Sequence, residues 1–164
     1  AVGTGMHVEV SELNIEGNVG SNATVLAIKA SIDGQTHKTA TITAENLKIN
    51  VHKGTANGKN IHITRLEHGI VHGENVEISQ ALGGTIIAKE AIVDLCASYV
   101  KITASKYIEI KKLQGSENIF TIDPLIGNEI KKSLAHNKEE IAELKARVKF
   151  LFGEIKKVTT LIKD

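Results

Sequence analysis

Aromatic residues are scarce in this chain of 164 residues, which has three Phe, two Tyr and no Trp. Most folded domains fill part of their core with large rings, so a core here must depend on Ile, Val, Leu and Ala. The single cysteine, Cys96, excludes an internal disulfide framework and a metal site built from several cysteines. Hydrophobic residues still make up 41 % of the chain, which is enough for one core.

Strong charge and long apolar runs are also lacking. A net charge of +1 argues against binding to nucleic acid through electrostatic attraction. No run of 18 apolar residues occurs, so we expect no membrane insertion. No secretory signal peptide is recognisable in the sequence.

The composition changes at Asp123-Pro124. Twelve of the 14 glycines lie in residues 1–125, whereas Lys, Glu, Ile and Leu dominate the rest. Proline lacks a backbone N–H and has a fixed φ, so Pro124 can end a strand and open a helix. We therefore divide the chain into a β domain, residues 1–123, and a helical segment, residues 124–164.

The β domain repeats a short phrase with apolar residues two positions apart, which is typical of strands with one buried face. The phrase occurs at residues 7–10, 46–49, 60–63, 75–78, 99–102 and 107–110. Leu47, Ile61 and Val76 are 14 and 15 residues apart, and repetition at a short period predicts a solenoid. The six-residue period of left-handed β-helices is not kept, which favours a right-handed parallel β-helix. The alternative is a β-sandwich of short strands.

The helical segment carries an unbroken heptad pattern, with apolar gaps that alternate between three and four. These predicted oligomerisation residues are Ile130, Leu134, Asn137, Ile141, Leu144, Val148, Leu151, Ile155, Val158 and Ile162. Such a pattern predicts a long C-terminal coiled-coil α-helix. Its exposed seam needs a partner, either a second copy, with a dimer favoured, or a second helix that a longer chain would supply.

Several phrases in this order resemble one family. They are the Gly-Gly turn at residues 82–88, the strand at residues 108–116, and Thr121-Ile122-Asp123-Pro124 ahead of the heptads. Together they resemble the C-terminal part of the bacterial flagellar assembly protein A-like family. The resemblance implies a cytoplasmic β-helix scaffold with a coiled-coil projection and no established catalytic residues.

Individual candidates for chemistry are weak. His62, His68 and His72 lie within eleven residues, with His52 ten residues earlier, yet their spacing matches no recognised metal-ligand pattern. On stacked strands His62 would approach residues near positions 48 and 77 rather than another histidine. Cys96 lies among aliphatic neighbours and is expected to be buried. We therefore predict no catalytic residue, no metal and no cofactor.

The sequence as a whole favours a non-enzymatic scaffold that acts through protein–protein contacts, in flagellar assembly or cell-surface organisation. We also expect further protein partners. The first alternative is a bactofilin-like element that polymerises through the ends of its β-helix. The second is a β-helix enzyme, either carbohydrate-active or an acyltransferase, which would need clustered acids or a catalytic histidine.

Overall fold

A computed structural model describes residues 2–126 and 137–149 of the chain. Within these residues eight strands form one sheet in chain order. They are β1 (His7–Ile15), β2 (Thr24–Gln35), β3 (Thr41–His52), β4 (Thr55–Leu66), β5 (Ile70–Ala81), β6 (Gly84–Cys96), β7 (Val100–Leu113) and β8 (Ile119–Ile122). Each strand pairs in parallel with the next, which gives a parallel β-solenoid of about seven turns. The predicted solenoid is therefore confirmed, and the sandwich of antiparallel strands is excluded.

The repeat read from the sequence sets the register of the coils. Leu47 pairs with Ile61, and Ile61 pairs with Val76, as their spacing predicted. Coils differ in length, from 17 residues between His7 and Thr24 to 14 between Thr41 and Thr55. Apart from the four-residue β8, the strands have 9–14 residues, because the backbone stays extended while it bends at each corner.

Each coil consists of three faces joined by two corners, as β3 illustrates. Residues 41–44 form the first face, residues 46–49 the second and residues 51–52 the third, while Glu45 and Asn50 are left out of the register at the corners. The buried side chains of β3 include Ile42, Ala44, Leu47, Ile49 and His52. Inward positions therefore alternate between gaps of two and three residues, and this rule recurs from coil to coil.

Inward side chains stack into columns along the solenoid axis. One column consists of Ile32, Ile49, Ile63, Ile78 and Val93, all at most 1 % exposed. A neighbouring column consists of residues with small side chains or none, namely Ala27, Ala44, Gly58, Gly73, Ala88 and Ala104. The described aromatic side chains all lie outside the buried core, since Tyr99, Tyr107 and Phe120 are at least 37 % exposed. The shortage of rings thus follows from narrow columns that rings cannot fill.

Residues 137–149 form a helix, α1, that packs against the outside of the solenoid. Ile141 and Leu144 are buried beside Leu26, and Ile28 and Val148 pack around them. In the described part these heptad residues pack against the solenoid rather than against another helix, so the predicted long coiled coil is not supported there. The rest of the predicted seam, at positions 130, 134, 151, 155, 158 and 162, lies outside the described residues.

A substitution at Gly58 tests how tightly the column of Ala and Gly residues is packed. A Cβ atom added there would lie 2.3 Å from the backbone oxygen of Ala44, whereas one added at Gly73 would meet the Val76 side chain first, at 2.9 Å. We expect Gly58→Ala to lower the free energy of unfolding by about 1–3 kcal/mol, and Gly73→Ala by less, because a side chain yields more easily than backbone. Urea unfolding measures both variants, and equal losses would contradict this account.

Candidate interaction surfaces

On the third to the sixth coil, the first corner forms an outward column of residues that alternate in charge. Glu45, Lys59, Glu74 and Lys89 occupy this corner on four successive coils. Neighbouring parallel strands lie about 4.8 Å apart, so two coils advance the column by roughly 10 Å. Like charges in this column therefore recur at about the spacing of seven helical residues, which is roughly 10.5 Å.

Two lysines of helix α1, seven residues apart, pair with glutamates of this column. The Nζ atom of Lys138 lies 3.1 Å from Glu74 Oε1, and Lys145, seven residues later, pairs with Glu45, two coils earlier. The helix thus runs antiparallel to the direction in which the coils advance. Because the two lysine side chains remain 48–63 % exposed, each ion pair adds little stability, and the pairs mainly fix the position of the helix.

A further contact anchors the C-terminal end of the described helix. Arg147 Nη2 donates a hydrogen bond to Glu9 Oε2 at 2.9 Å, and His7 Nε2 lies 3.0 Å from Glu9 Oε1. The hydrogen bonds from His7 and Arg147 hold the pKa of Glu9 below its usual value. The described part of the helix therefore extends along the solenoid from the fifth coil to the first.

Apolar contacts provide the centre of this interface. Leu26 lies on the outer side of the first face, and it is only 8 % exposed because α1 covers it. Next to the buried Ile141, a cavity of about 190 Å³ remains between helix and solenoid. Burial of a few aliphatic side chains therefore holds the helix, and each contributes about 1.5–3 kcal/mol.

The four predicted oligomerisation residues in the described part of the chain lie on one side of α1, and oligomerisation through them stays a prediction. Ile141 and Leu144 are buried, while Asn137 and Val148 are partly buried. Asn137 also lines the cavity. Sequence reasoning missed the opposite side of the interface, although an outward Leu26 and a corner Ile28 were signals that this side of the solenoid is covered.

The second face carries a ladder of asparagines. Asn60 Nδ2 donates to Asn46 Oδ1, and Asn75 Nδ2 donates to Asn60 Oδ1, both at 3.0 Å. Each of these asparagines follows a corner residue, Glu45, Lys59 or Glu74, and they stack one coil above the next. Since these amides hydrogen-bond to one another, the ladder reinforces the register, and the shallow groove beside it runs along the same face.

The histidines fall in separate environments. His62 is aligned with Lys48 and Glu77, as predicted. His52, by contrast, occupies an inward position and is fully buried, which the sequence reasoning did not anticipate. Its place in the spacing of inward residues, equivalent to Leu66 on the next coil, was the signal. Within the described residues no group of three or more His, Cys, Asp or Glu side chains could hold a metal ion.

Hydrogen bonds around His52 require the neutral ring. Its Nε2 lies 3.2 Å from the Ile70 carbonyl oxygen, which can only accept, so Nε2 carries the proton. Its Nδ1 then accepts from Thr36 Oγ1 at 2.8 Å, and Thr36 Oγ1 in turn accepts from the backbone N–H of Lys53. Burial lowers the pKa of His52 to about 4.

Cys96 lies in the same inward column as His52. It is fully buried, as predicted. Burial raises the pKa of its thiol, which keeps it protonated and weakly nucleophilic. It therefore behaves as a small core residue.

The last coil differs from the others in its exposed apolar side chains. The large apolar residues exposed in this region are Tyr99, Tyr107, Leu113, Ile119, Phe120, Ile122 and Leu125. Elsewhere in the described residues, only Met6 and Ile70 are large, apolar and exposed. An apolar cluster of this kind is typical of a contact surface.

Comparison with family models, curated proteins and solved structures yields no match to this chain. Within residues 2–126 and 137–149, no helix is long and apolar enough to cross a membrane.

His52 predicts a pH dependence of stability. Its pKa is about 4 in the folded chain and about 6.5 when unfolded, so the unfolded state binds the proton more tightly. Stability from this group is complete above about pH 6.5 and is lost as the pH falls towards 4. We expect about 2 kcal/mol less stability at pH 5 than at pH 7, measured by urea unfolding.

His52→Gln removes this titration while it retains a donor and an acceptor. The difference in stability between pH 7 and pH 5 should shrink by about the same 2 kcal/mol. His37→Gln, at an exposed position, is the control and should leave the difference unchanged. An undiminished pH dependence in His52→Gln would show that another group is responsible.

Leu144 tests the attachment of α1. Leu144→Asp should release the helix, because it places a charge in the apolar contact with Leu26. Hydrogen exchange of the amides in residues 137–149 should accelerate at least tenfold, which corresponds to about 1.4 kcal/mol. Glu143→Ala alters an exposed neighbour and should change this exchange far less. If both variants exchange alike, Leu144 does not hold the helix.

Proposed function

We propose that this chain is a non-enzymatic scaffold that acts through protein–protein contacts. The observation that carries the proposal is the concentration of exposed apolar side chains on the last coil, at one end of a rod with a closely packed core. A rigid rod with an apolar end is suited to hold partners at a fixed distance.

The resemblance to the flagellar assembly protein A-like family supports a cytoplasmic role in flagellar assembly or cell-surface organisation. We further propose that the coils wind right-handedly, as parallel connections nearly always do.

Self-association through the heptad residues is part of the proposal. Ile141 and Leu144 cannot face the solenoid and a second helix at the same time, so a coiled coil requires α1 to leave the solenoid. The same stripe of residues would then exchange one apolar partner for another. Association through this seam is therefore expected to compete with docking of the helix.

Charge reversal on the solenoid tests this competition without changing the helix. In Glu45→Lys/Glu74→Lys, lysines face Lys145 and Lys138, so docking weakens while the heptads stay intact. We expect the dimer dissociation constant, from sedimentation equilibrium, to fall at least fivefold. Glu77→Lys/Glu90→Lys makes equal charge changes on the second face and serves as the control. A variant that remains monomeric at every concentration, like its control, would contradict self-association through the seam.

The second candidate is a bactofilin-like polymer, and a specific observation favours it. The exposed Leu113 is aligned with the buried Cys96, so the inward column reaches the end of the solenoid uncovered by the described residues. The end of a second copy that carries a matching step would cover such a column. Filaments in electron micrographs of the purified chain would favour this candidate, and discrete particles would exclude it.

A further inference from the structure

The solenoid stops part-way through its last coil. β8 pairs with residues 101–104 of β7, on the first face. On the same side, residues 105–113 of β7 have no paired strand among the described parts of the chain. The first face therefore extends one strand further than the second and third faces, which leaves a step of about 4.8 Å at this end.

The local sequence explains why the coil stops there. The backbone N–H of Asp123 still donates to the Ala104 carbonyl oxygen, at 2.9 Å. Pro124 has no N–H to continue the ladder. The Asp123 side chain instead accepts a hydrogen bond from the Leu125 N–H at 3.0 Å, and Ile126 N–H donates to the Asp123 carbonyl. These bonds turn the backbone away from the next face.

The surface of β7 that the step leaves uncovered, which we call the floor, is apolar. Ala91, Val93 and Cys96 of the preceding coil are fully buried. Their partners on β7 are Ile108, Ile110 and Leu113; the first two are only partly buried, and Leu113 is 56 % exposed. These three inward columns therefore end without a covering layer in the described residues. Along β7, Ile108 and Ile110 are two residues apart, and Ile110 and Leu113 are three residues apart.

The charged side chains of residues 105–113, which we call the rim of the step, are mainly basic. Residues 105–113 contain three lysines and one glutamate, a net charge of +2. Lys111 binds Asp94 of the preceding coil at 3.2 Å, whereas Lys106 and Lys112 lie exposed on either side of the floor. Tyr107 is also exposed and adds an apolar ring beside the edge.

We propose that this open half-coil binds an extended acidic peptide segment of a partner protein, which adds as a strand along residues 105–113 of β7. The backbone edge supplies main-chain hydrogen bonds, as in other cases of strand addition. Apolar side chains of the peptide, spaced two and then three residues apart, cover Ile108, Ile110 and Leu113. Its acidic side chains face Lys106 and Lys112.

Geometry favours a single strand over the flat end of a second copy. A flat end seated on β8 would stand one strand spacing above the floor, and would leave the apolar columns uncovered. One extended segment fills that step. The inference rests on the proposed scaffold function, since it names the class of partner that the scaffold would hold.

A designed peptide tests the inference on the full 164-residue chain. The probe is a fluorescein-labelled, capped eight-residue peptide with Ile at its second, fourth and seventh positions and Glu or Thr elsewhere. We expect saturable binding in fluorescence anisotropy. The dissociation constant should rise at least tenfold for Lys106→Glu/Lys112→Glu and for Leu113→Glu. The control Lys29→Glu/Lys48→Glu reverses two charges on the second face, far from the step, and should bind as the parent does.

Two further peptides separate spacing from charge. One carries its Ile residues at the first, fourth and sixth positions, which reverses the order of the two gaps, and the other replaces Glu by Lys. Equal binding of either peptide to the parent chain would overturn the proposal, as would the absence of saturable binding by the first peptide. A chain that sediments as a monomer yet binds the first peptide would refute self-association and leave this inference intact.

Discussion

Stacking of inward side chains in register is the constraint on which the rest of this structure depends. Parallel pairing places each inward residue directly over its equivalent on the previous coil, so one coil fixes the next. Only side chains that fit the narrow columns are tolerated, which explains the dominance of Ile, Val and Ala and the exposure of the described rings. At Gly58 even a methyl group would collide with the neighbouring backbone.

The same regular stacking creates the outer surface that holds α1. Because coils advance by a constant distance, the corner residues Glu45 and Glu74 recur at about the pitch of a heptad. A helical stripe with a seven-residue repeat can therefore match either another helix or the corner of a solenoid. The ion pairs of Lys138 and Lys145 use this coincidence, and Leu26 provides the apolar contact.

Two departures from the repeat give the solenoid its individual properties. His52 replaces an aliphatic residue in an inward column and is stabilised only as a neutral ring between Thr36 and the Ile70 carbonyl. Asp123-Pro124 interrupts the last coil and leaves an apolar floor with a basic rim. The first couples the core to pH, and the second turns one end of a regular rod into a surface that can accept a strand.

Sequence alone determined the solenoid, its coil spacing, its aliphatic core and the side of α1 that is buried. These features follow from periodic patterns in the local sequence. Such patterns can be recognised without knowing which element packs against them. Tertiary structure alone decided what Ile141 and Leu144 touch, that His52 lies inside, and that residues 105–113 form an open edge. Each of these features depends on which coil lies above or beside a residue. An apolar stripe in the sequence shows that a surface must be covered, but it does not identify the element that covers it.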